Sequence, residues 1–254
     1  MKIKKLFWIL LMLAAWQIIA LSGSVSPLLF PSLGMIFRAM LRAIANGEIL
    51  VQTLFSIVII LEGLLIGAMI ALMLAVASRI SETLRSLVET LITVAHPLPG
   101  IALLPIIILW LGTGRVSILF IIVHSVLWPL LLNLMAGFKA TPLAYSDVGK
   151  NMGLNRLMLF KDIYLPASMP YLLSGLKIAW ARAWRALISA EMIFGAVGGK
   201  GGLGWYIFKQ RVFMDTPGMF AALAIIMLIG ILVEEVFFEG LEALTLRRWG
   251  MTEK

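Results

Sequence analysis

The chain has 254 residues, of which 61% are hydrophobic and 13% charged, with net charge +8 and mean hydropathy +1.03. Soluble domains run near 45–50% apolar and about 25% charged, so the composition excludes a water-soluble globule and a disordered or nucleic-acid-binding tail, and reads as a polytopic membrane protein. The chain holds no cysteine and only His96 and His124, which rules out disulfides, thiolate metal sites and cysteine nucleophiles and argues against a histidine-rich metal centre.

A helix crossing the hydrocarbon needs about 20 mostly apolar residues, and six runs qualify. The first, Leu6–Leu21, follows Lys2, Lys4 and Lys5. A removable leader is its other reading, but the run lacks a good small-x-small cleavage site. The long segment Ser22–Leu50 follows. Within it, Ser32–Ala45 sets Leu33, Ile36, Phe37, Met40, Leu41 and Ile44 at helical spacing, with Arg38 and Arg42 on another face. That pattern suits a helix at the membrane interface or one packed on the bundle.

The second run, Val51–Ala77, contains Glu62 and a Gly63-x-x-x-Gly67 pattern for close helix contact within the subunit. The third, Leu87–Leu111, carries Pro97, Pro99, Gly100 and Pro105; the fourth is Val116–Gly137. Between the fourth and fifth lies Phe138–Met169, too long for a hairpin connection. Its apolar spacing predicts two short helices. One covers Pro142–Met152 and is broken by Gly153. The other is capped by Asn155 and ends before Pro166.

The fifth run, Pro170–Val197, holds Lys177, Arg182, Arg185 and Glu191; the sixth is Met219–Ala243. Charges within spans usually face a pore or one another. Arg182, Arg185 and Ser189 share one helical face, and Glu191 lies off it. The arginines therefore either line a path for an anion or pair internally, for example with Glu62. Glu235, Glu239 and Glu242 follow helical spacing at the end of the sixth run, before Arg247 and Arg248, as a solvated or paired end. His96 and His124 read as interfacial or packed.

With both termini cytoplasmic, twelve Lys and Arg fall inside, six outside and three within the fifth run, which is the expected positive-inside bias. Gly199-Lys200-Gly201-Gly202-Leu203-Gly204 matches G-x-G-x-x-G, but without the strand and βαβ unit a dinucleotide site needs; it reads as a flexible outside loop. No G-x-x-x-x-G-K-[ST] is present, so the chain is not expected to hydrolyse ATP itself.

The loop after the fourth run resembles the signature loop of ABC importer permeases of the binding-protein-dependent family, the type I importer fold. In that family E-A-A is followed by three residues, Gly, nine residues and I-x-L-P. Here Gly153 is followed by nine residues and then Ile163-Tyr164-Leu165-Pro166, while the E-A-A triplet falls on Asp147, Val148 and Gly149. The Gly at 149 is expected to weaken the helix by about 1 kcal/mol relative to Ala. The resemblance covers roughly Gly47–Ala243. It is nearest the nitrate, sulfonate and taurine branch, through His96-Pro97-Leu98-Pro99, Pro105–Gly112, Ala190-Glu191-Met192 and Gly201–Gly204.

The resemblance implies an all-α membrane protein of six transmembrane helices with a cytoplasmic coupling helix between the fourth and fifth. Its parts would be an N-terminal helix and outside segment over 1–46, a permease domain over 47–243 and a cytoplasmic tail over 244–254. It further implies ATPase coupling through Asp147, Val148, Gly149, Gly153, Leu154, Arg156, Leu165 and Pro166. Arg182, Arg185, Ser189 and Glu62 are the candidates for the translocation path. The implied partners are two copies of an ATPase subunit carrying ATP and Mg²⁺, a second copy of this permease, an outside substrate-binding protein and the bilayer, with no nucleic acid. The chain itself would hold no cofactor or metal and would sit in a prokaryotic cytoplasmic membrane, importing a small anion such as nitrate, a sulfonate or a taurine-like solute. A stand-alone secondary transporter or channel is the alternative. An intramembrane enzyme would need a paired-carboxylate or Ser-His constellation that the runs do not show.

Overall fold

The structure is a computed structural model that describes residues 2–196 and 201–251. Among them every regular element is helical. The backbone divides into two compact units, Met1–Ile57 with Glu191–Ile229, and Val58–Ala190 with Gly230–Lys254.

In the first unit, α1 (Lys2–Leu21) is exposed from Lys4 to Ala15 and, beyond Lys5, apolar except for Gln17. Its last turns are tied to the chain that follows. The Trp16 indole donates to the Pro31 carbonyl at 3.0 Å and stacks on Phe30, and Gln17 accepts from the Leu33 N–H at 2.9 Å. Next comes α2 (Leu33–Ala45), capped by the Ser32 hydroxyl on the Met35 N–H. It buries the small residues Ala39 and Ala43 and leaves Phe37, Leu41 and Ile44 exposed. Leu33, Ile36 and Met40 of the predicted apolar stripe are half-buried beside this seam of alanines, and only the other edge of the stripe is uncovered.

The long helix α3 (Glu48–Ala77) starts in the first unit and continues in the second. The run predicted as one span over Leu87–Leu111 is two pieces: α4 (Glu82–Ala95), and a 3₁₀ turn (Gly100–Leu103) leading into α5 (Leu104–Leu111). They meet at 83°. The cause is local, since Pro97 and Pro99 supply no N–H donor to continue the helical ladder and their rings crowd the preceding turn. Then follow α6 (Arg115–Ala140), α7 (Leu143–Asn151), α8 (Arg156–Leu159), a π turn over Phe160–Tyr164, α9 (Leu165–Ala167) and α10 (Met169–Phe194).

The helix expected to end before Pro166 instead runs through it. The π turn widens the backbone ladder just ahead of the proline, with the Leu165 N–H reaching the Phe160 carbonyl, so the ring avoids the carbonyl it would strike in a regular helix.

Helix directions in the second unit follow from close approaches. A Cβ placed on Gly63 or Gly67 would lie within 3 Å of Ile122 or Val126 respectively. The rising numbers on both sides mean that α3 and α6 run parallel, pressed together along the Gly-x-x-x-Gly ridge. Gly137 abuts Ser168 and Tyr171, and Gly175 abuts Asn133, so α10 runs antiparallel to α6.

Back in the first unit, α11 (Leu203–Val212) takes in Leu203 and Gly204, the last two residues of the stretch expected as a flexible loop, and α12 (Thr216–Leu232) follows it. Gly199 and Lys200 of the G-x-G-x-x-G match lie outside the described residues, as does Val197. The last helical run continues from Thr216 to Arg247, 32 residues, through a π turn (Val233–Phe238), α13 (Glu239–Glu242) and a second π turn (Ala243–Arg247). On this run Glu235 and Glu239 are exposed and Glu242 is half-buried, and helix extends into the expected tail.

By length and composition α1, α3, α6 and the Thr216–Arg247 run can each cross a membrane, and the bent pair α4–α5 supplies a fifth. With 26 residues α10 is long enough to cross too, but it carries four charged residues.

Candidate functional site

Two constructions in the second unit stand out, a braced loop and a cationic cavity. The loop begins at Pro142, which starts α7. Ser146 and Gly149 face inward, and the Gly149 backbone lies against the ends of Ile163, Leu159 and Leu154, which a Cβ would meet at 2.5, 2.7 and 3.2 Å. The glycine expected only to weaken α7 thus lets it seat on the following helix.

At its end, Leu154 N–H bonds the Gly149 carbonyl at 3.0 Å and Gly153 N–H bonds Lys150 at 2.9 Å. This is a Schellman closure, with Gly153 at φ +80°, the left-handed shape glycine adopts without strain. The space beside it is open, so a larger residue there would be opposed by the backbone and not by a clash. Asn155 caps α8 through the Met158 N–H at 2.9 Å, as the sequence predicts. The outer face of α7 presents Tyr145, Val148 and Met152, exposed by 57%, 57% and 75%, an apolar strip at i, i+3 and i+7. Asp147 and Lys150 pair at 3.3 Å, both exposed. Arg156 is exposed at the start of α8, Leu154 is half-buried, and Leu165 and Pro166 form the first turn of α9.

The cavity, about 490 Å³, is lined by the α4–α5 bend, the middle of α6 and the middle of α10. Irregular backbone at membrane depth is tolerated where it lines such a cavity. Arg182, Arg185 and Ser189 open into it, as their shared face requires. His96 comes from the bend and His124, Ser125 and Trp128 from α6. Gly100 brings the bend close to α6, where a Cβ would sit 3.2 Å from the Ser125 hydroxyl.

Arg182 lies 3.3 Å from His96 Nε2, and Arg185 donates to the Ala181 carbonyl at 3.0 Å. His124 Nε2 and Trp128 Nε1 are buried without a hydrogen-bond partner. Two guanidinium groups with no carboxylate beside them among the described residues, plus an orphaned indole N–H, form a site ready to accept an anion. The histidines expected to be merely packed are thus part of this lining.

Glu62 is not. It pairs with Arg115 at the start of α6 at 2.5 Å, which replaces the suggested pairing with Arg182 or Arg185.

In the first unit the sequence reading gave Glu191 no role. It is 1% exposed. It accepts from the Ser56 hydroxyl at 2.8 Å and from the Gly204 N–H at 2.9 Å, while Ser56 accepts from the Leu203 N–H at 2.9 Å. A carboxylate and a hydroxyl thereby satisfy the first N–H groups of α11, where an anion is also favoured by the helix dipole. Gly202 is required beside it, because a Cβ would fall 2.0 Å from the carboxylate. The signal was present in Ala190-Glu191-Met192 and Gly201–Gly204, but nothing local says that those segments meet. Lys209 of α11 pairs with Glu48 at the start of α3.

Comparison with known proteins shows what uses such parts. A taurine transport system permease protein of Escherichia coli (strain K12) is 25% identical over 228 residues, covering 88% of this chain and 82% of the relative. A putative aliphatic sulfonates transport permease protein of Bacillus subtilis (strain 168) is 26% identical over 222 residues, 87% of this chain and 79% of the relative. A nitrate import permease protein of Leptolyngbya laminosa is 28% identical over 171 residues, 67% of this chain and 60% of the relative. Residues 63–245, well over half the chain and including both the braced loop and the cavity, match the binding-protein-dependent transport system inner membrane component family, and this chain belongs to that family of multi-pass membrane transport subunits.

Proposed function

We propose that the chain is the permease subunit of an ATP-driven importer for a small oxyanion, with α7 as the helix that couples ATP hydrolysis to transport. The observation that carries the reading is the construction of α7. It is locked at one end by Gly153 at φ +80°, seated on the next helix through Gly149, and left with an uncovered apolar strip of Tyr145, Val148 and Met152. A stiff short helix can pass on the movement of a partner, whereas a loose loop would absorb it. In this reading the strip and Asp147 lie in a groove of a separate ATPase subunit, which binds ATP and Mg²⁺. Two permeases and two ATPases form the complex, and a binding protein delivers the solute from outside. ATP binding favours one of two arrangements of the spans and hydrolysis returns the other.

Six crossings and cytoplasmic termini belong to the same proposal. Parallel packing of α3 and α6 supports it, because a chain that leaves α3 and re-enters in the same direction must cross back once between them, and the bent α4–α5 pair is the only helical run there. The anion follows from Arg182 and Arg185 facing a cavity halfway along α6 and α10, and the relatives named for taurine, sulfonates and nitrate handle solutes bearing oxyanion groups.

The test is ATPase rate in the reconstituted complex, with and without loaded binding protein. Gly153→Val places a β-branched residue at positive φ at a cost of about 1–3 kcal/mol. It is expected to leave insertion and subunit pull-down intact and to abolish solute-stimulated hydrolysis. Normal stimulation in that variant would remove the coupling assignment, and transport by the chain alone would favour a stand-alone carrier.

A further inference from the structure

A second cavity, of about 730 Å³, lies in the second unit against the coupling loop, since Leu143 of α7 and Tyr164 of the π turn are part of its wall. Arg79, Arg85 and Lys139 face it, against one acid, Glu89.

Arg79, just beyond α3, donates to the Phe138 carbonyl at 3.4 Å and lies 3.9 Å from the centre of the Tyr164 ring. That leaves further guanidinium donors uncommitted. Arg85 is bridged to Glu82 at 3.2 Å, and Lys139 has no carboxylate partner among the described residues. The hydroxyls of Ser78, Thr93 and Thr141 are spent on the carbonyls of Ala75, Glu89 and Gly137. Apart from the Tyr164 phenol, the free donors of this cavity are therefore cationic, and an occupant must bring acceptors and negative charge.

One and two turns along the same helices from the cations the wall is apolar, formed by Ile92 of α4, two turns from Arg85, and by Met135 and Leu132 of α6, one and two turns from Lys139. Leu132 is exposed, as are Leu87, Leu91 and Val94 along α4. A basic recess with an apolar wall between helix ends, at the level of the coupling loop, fits a molecule with a phosphate head and a hydrocarbon body.

We propose that this recess binds a phosphate-bearing anion, the head group of an anionic phospholipid of the inner leaflet, with its acyl chain along Ile92, Leu132 and Met135. Because Arg79 and Tyr164 link the ends of α3 and α6 to the coupling loop, an occupied recess braces α7 and makes coupling sensitive to lipid composition. The lipid's leaflet rests on the cytoplasmic placement of α7, but the site itself is read without any ATPase, so the two ideas fail separately.

The test is native mass spectrometry of the full chain in mild detergent, titrated with phosphatidylglycerol or with phosphatidylcholine of the same chains. Wild type is expected to retain phosphatidylglycerol at least tenfold more tightly. Each of Arg85→Gln and Lys139→Gln is expected to reduce that preference about fivefold. Arg79→Lys, which keeps the charge and loses the flat stacking, should keep most of it, and serves if the other variants do not fold. Equal retention of the two lipids, or an undiminished preference in the double variant, would overturn the site. Inorganic phosphate is the second arm. If it alone raises the melting temperature of wild type but not of the double variant, and no lipid preference is seen, the anion site stands and the lipid as its occupant is overturned.

Discussion

Two stretches of α10 hold charge within a long, mostly apolar helix, and they do so in opposite ways. Around residue 191 the carboxylate is sealed, with Ser56 and Gly204 donating to it and Gly202 leaving just enough room. Around residues 182–189 the guanidinium groups open into a cavity whose indole N–H and imidazole Nε2 also lack partners. A buried charge whose partners are all supplied by the protein holds elements together, and nothing remains for a ligand to add. A cluster of like charge with uncommitted donors is stabilised by what binds it, and the protein tolerates the cost of keeping it for that reason. The charges of α10 thus divide into one whose partners are all within the protein and a pair that opens into a cavity, although sequence spacing alone presents them together.

Substitutions can break or sharpen that division. The largest effect is expected at the sealed end. Glu191→Ala strands the Gly204 N–H and the Ser56 hydroxyl, at about 1–3 kcal/mol each. Gly202→Ala should act alike by displacing the carboxylate. Both should lower the melting temperature of the purified chain and expose the Leu203–Val212 segment to protease. A Glu191→Ala protein that melts normally yet fails to transport would place Glu191 with Arg182 and Arg185.

At the open end the sign reverses. Arg182→Gln and Arg185→Gln are expected to reduce solute uptake by roughly tenfold or more, the loss of one charge-assisted contact of about 1.5–3 kcal/mol, while melting stays near wild type. Loss of folded protein in both would place them with Glu191. His96→Ala should act in the same direction and more weakly, since it acts through Arg182, from which it lies 3.3 Å.

The smallest effects are expected at the exposed pairs. Glu62→Gln, removing a half-exposed partner of Arg115, should change stability by no more than about 1 kcal/mol and leave uptake unaltered. Asp147→Ala releases only Lys150 within this chain. A clear fall in solute-stimulated ATP hydrolysis without a change in melting would then locate its action in the partner's groove.

The sequence by itself determined what is decided within a few residues. Four of the apolar runs of spanning length, the turn at Gly153, the cap at Asn155 and the shared face of Arg182, Arg185 and Ser189 all rest on local periodicity and local backbone chemistry, and each is found where the pattern puts it. Only the tertiary structure decided the rest. Glu62 meets Arg115 across 53 residues and Glu191 meets Ser56 across 135, and no period in the sequence selects one distant partner over another. Prolines 97 and 99 announce a break but not its angle, which fixes whether His96 faces lipid or Arg182. Pro166 announces an end that a π turn removes, and Gly149 looks like a flaw in α7 until the side chains of Leu159 and Ile163 are seen against its backbone. In each case the missing information is which surfaces approach within a few ångströms, a property of the packed whole that a local pattern does not contain.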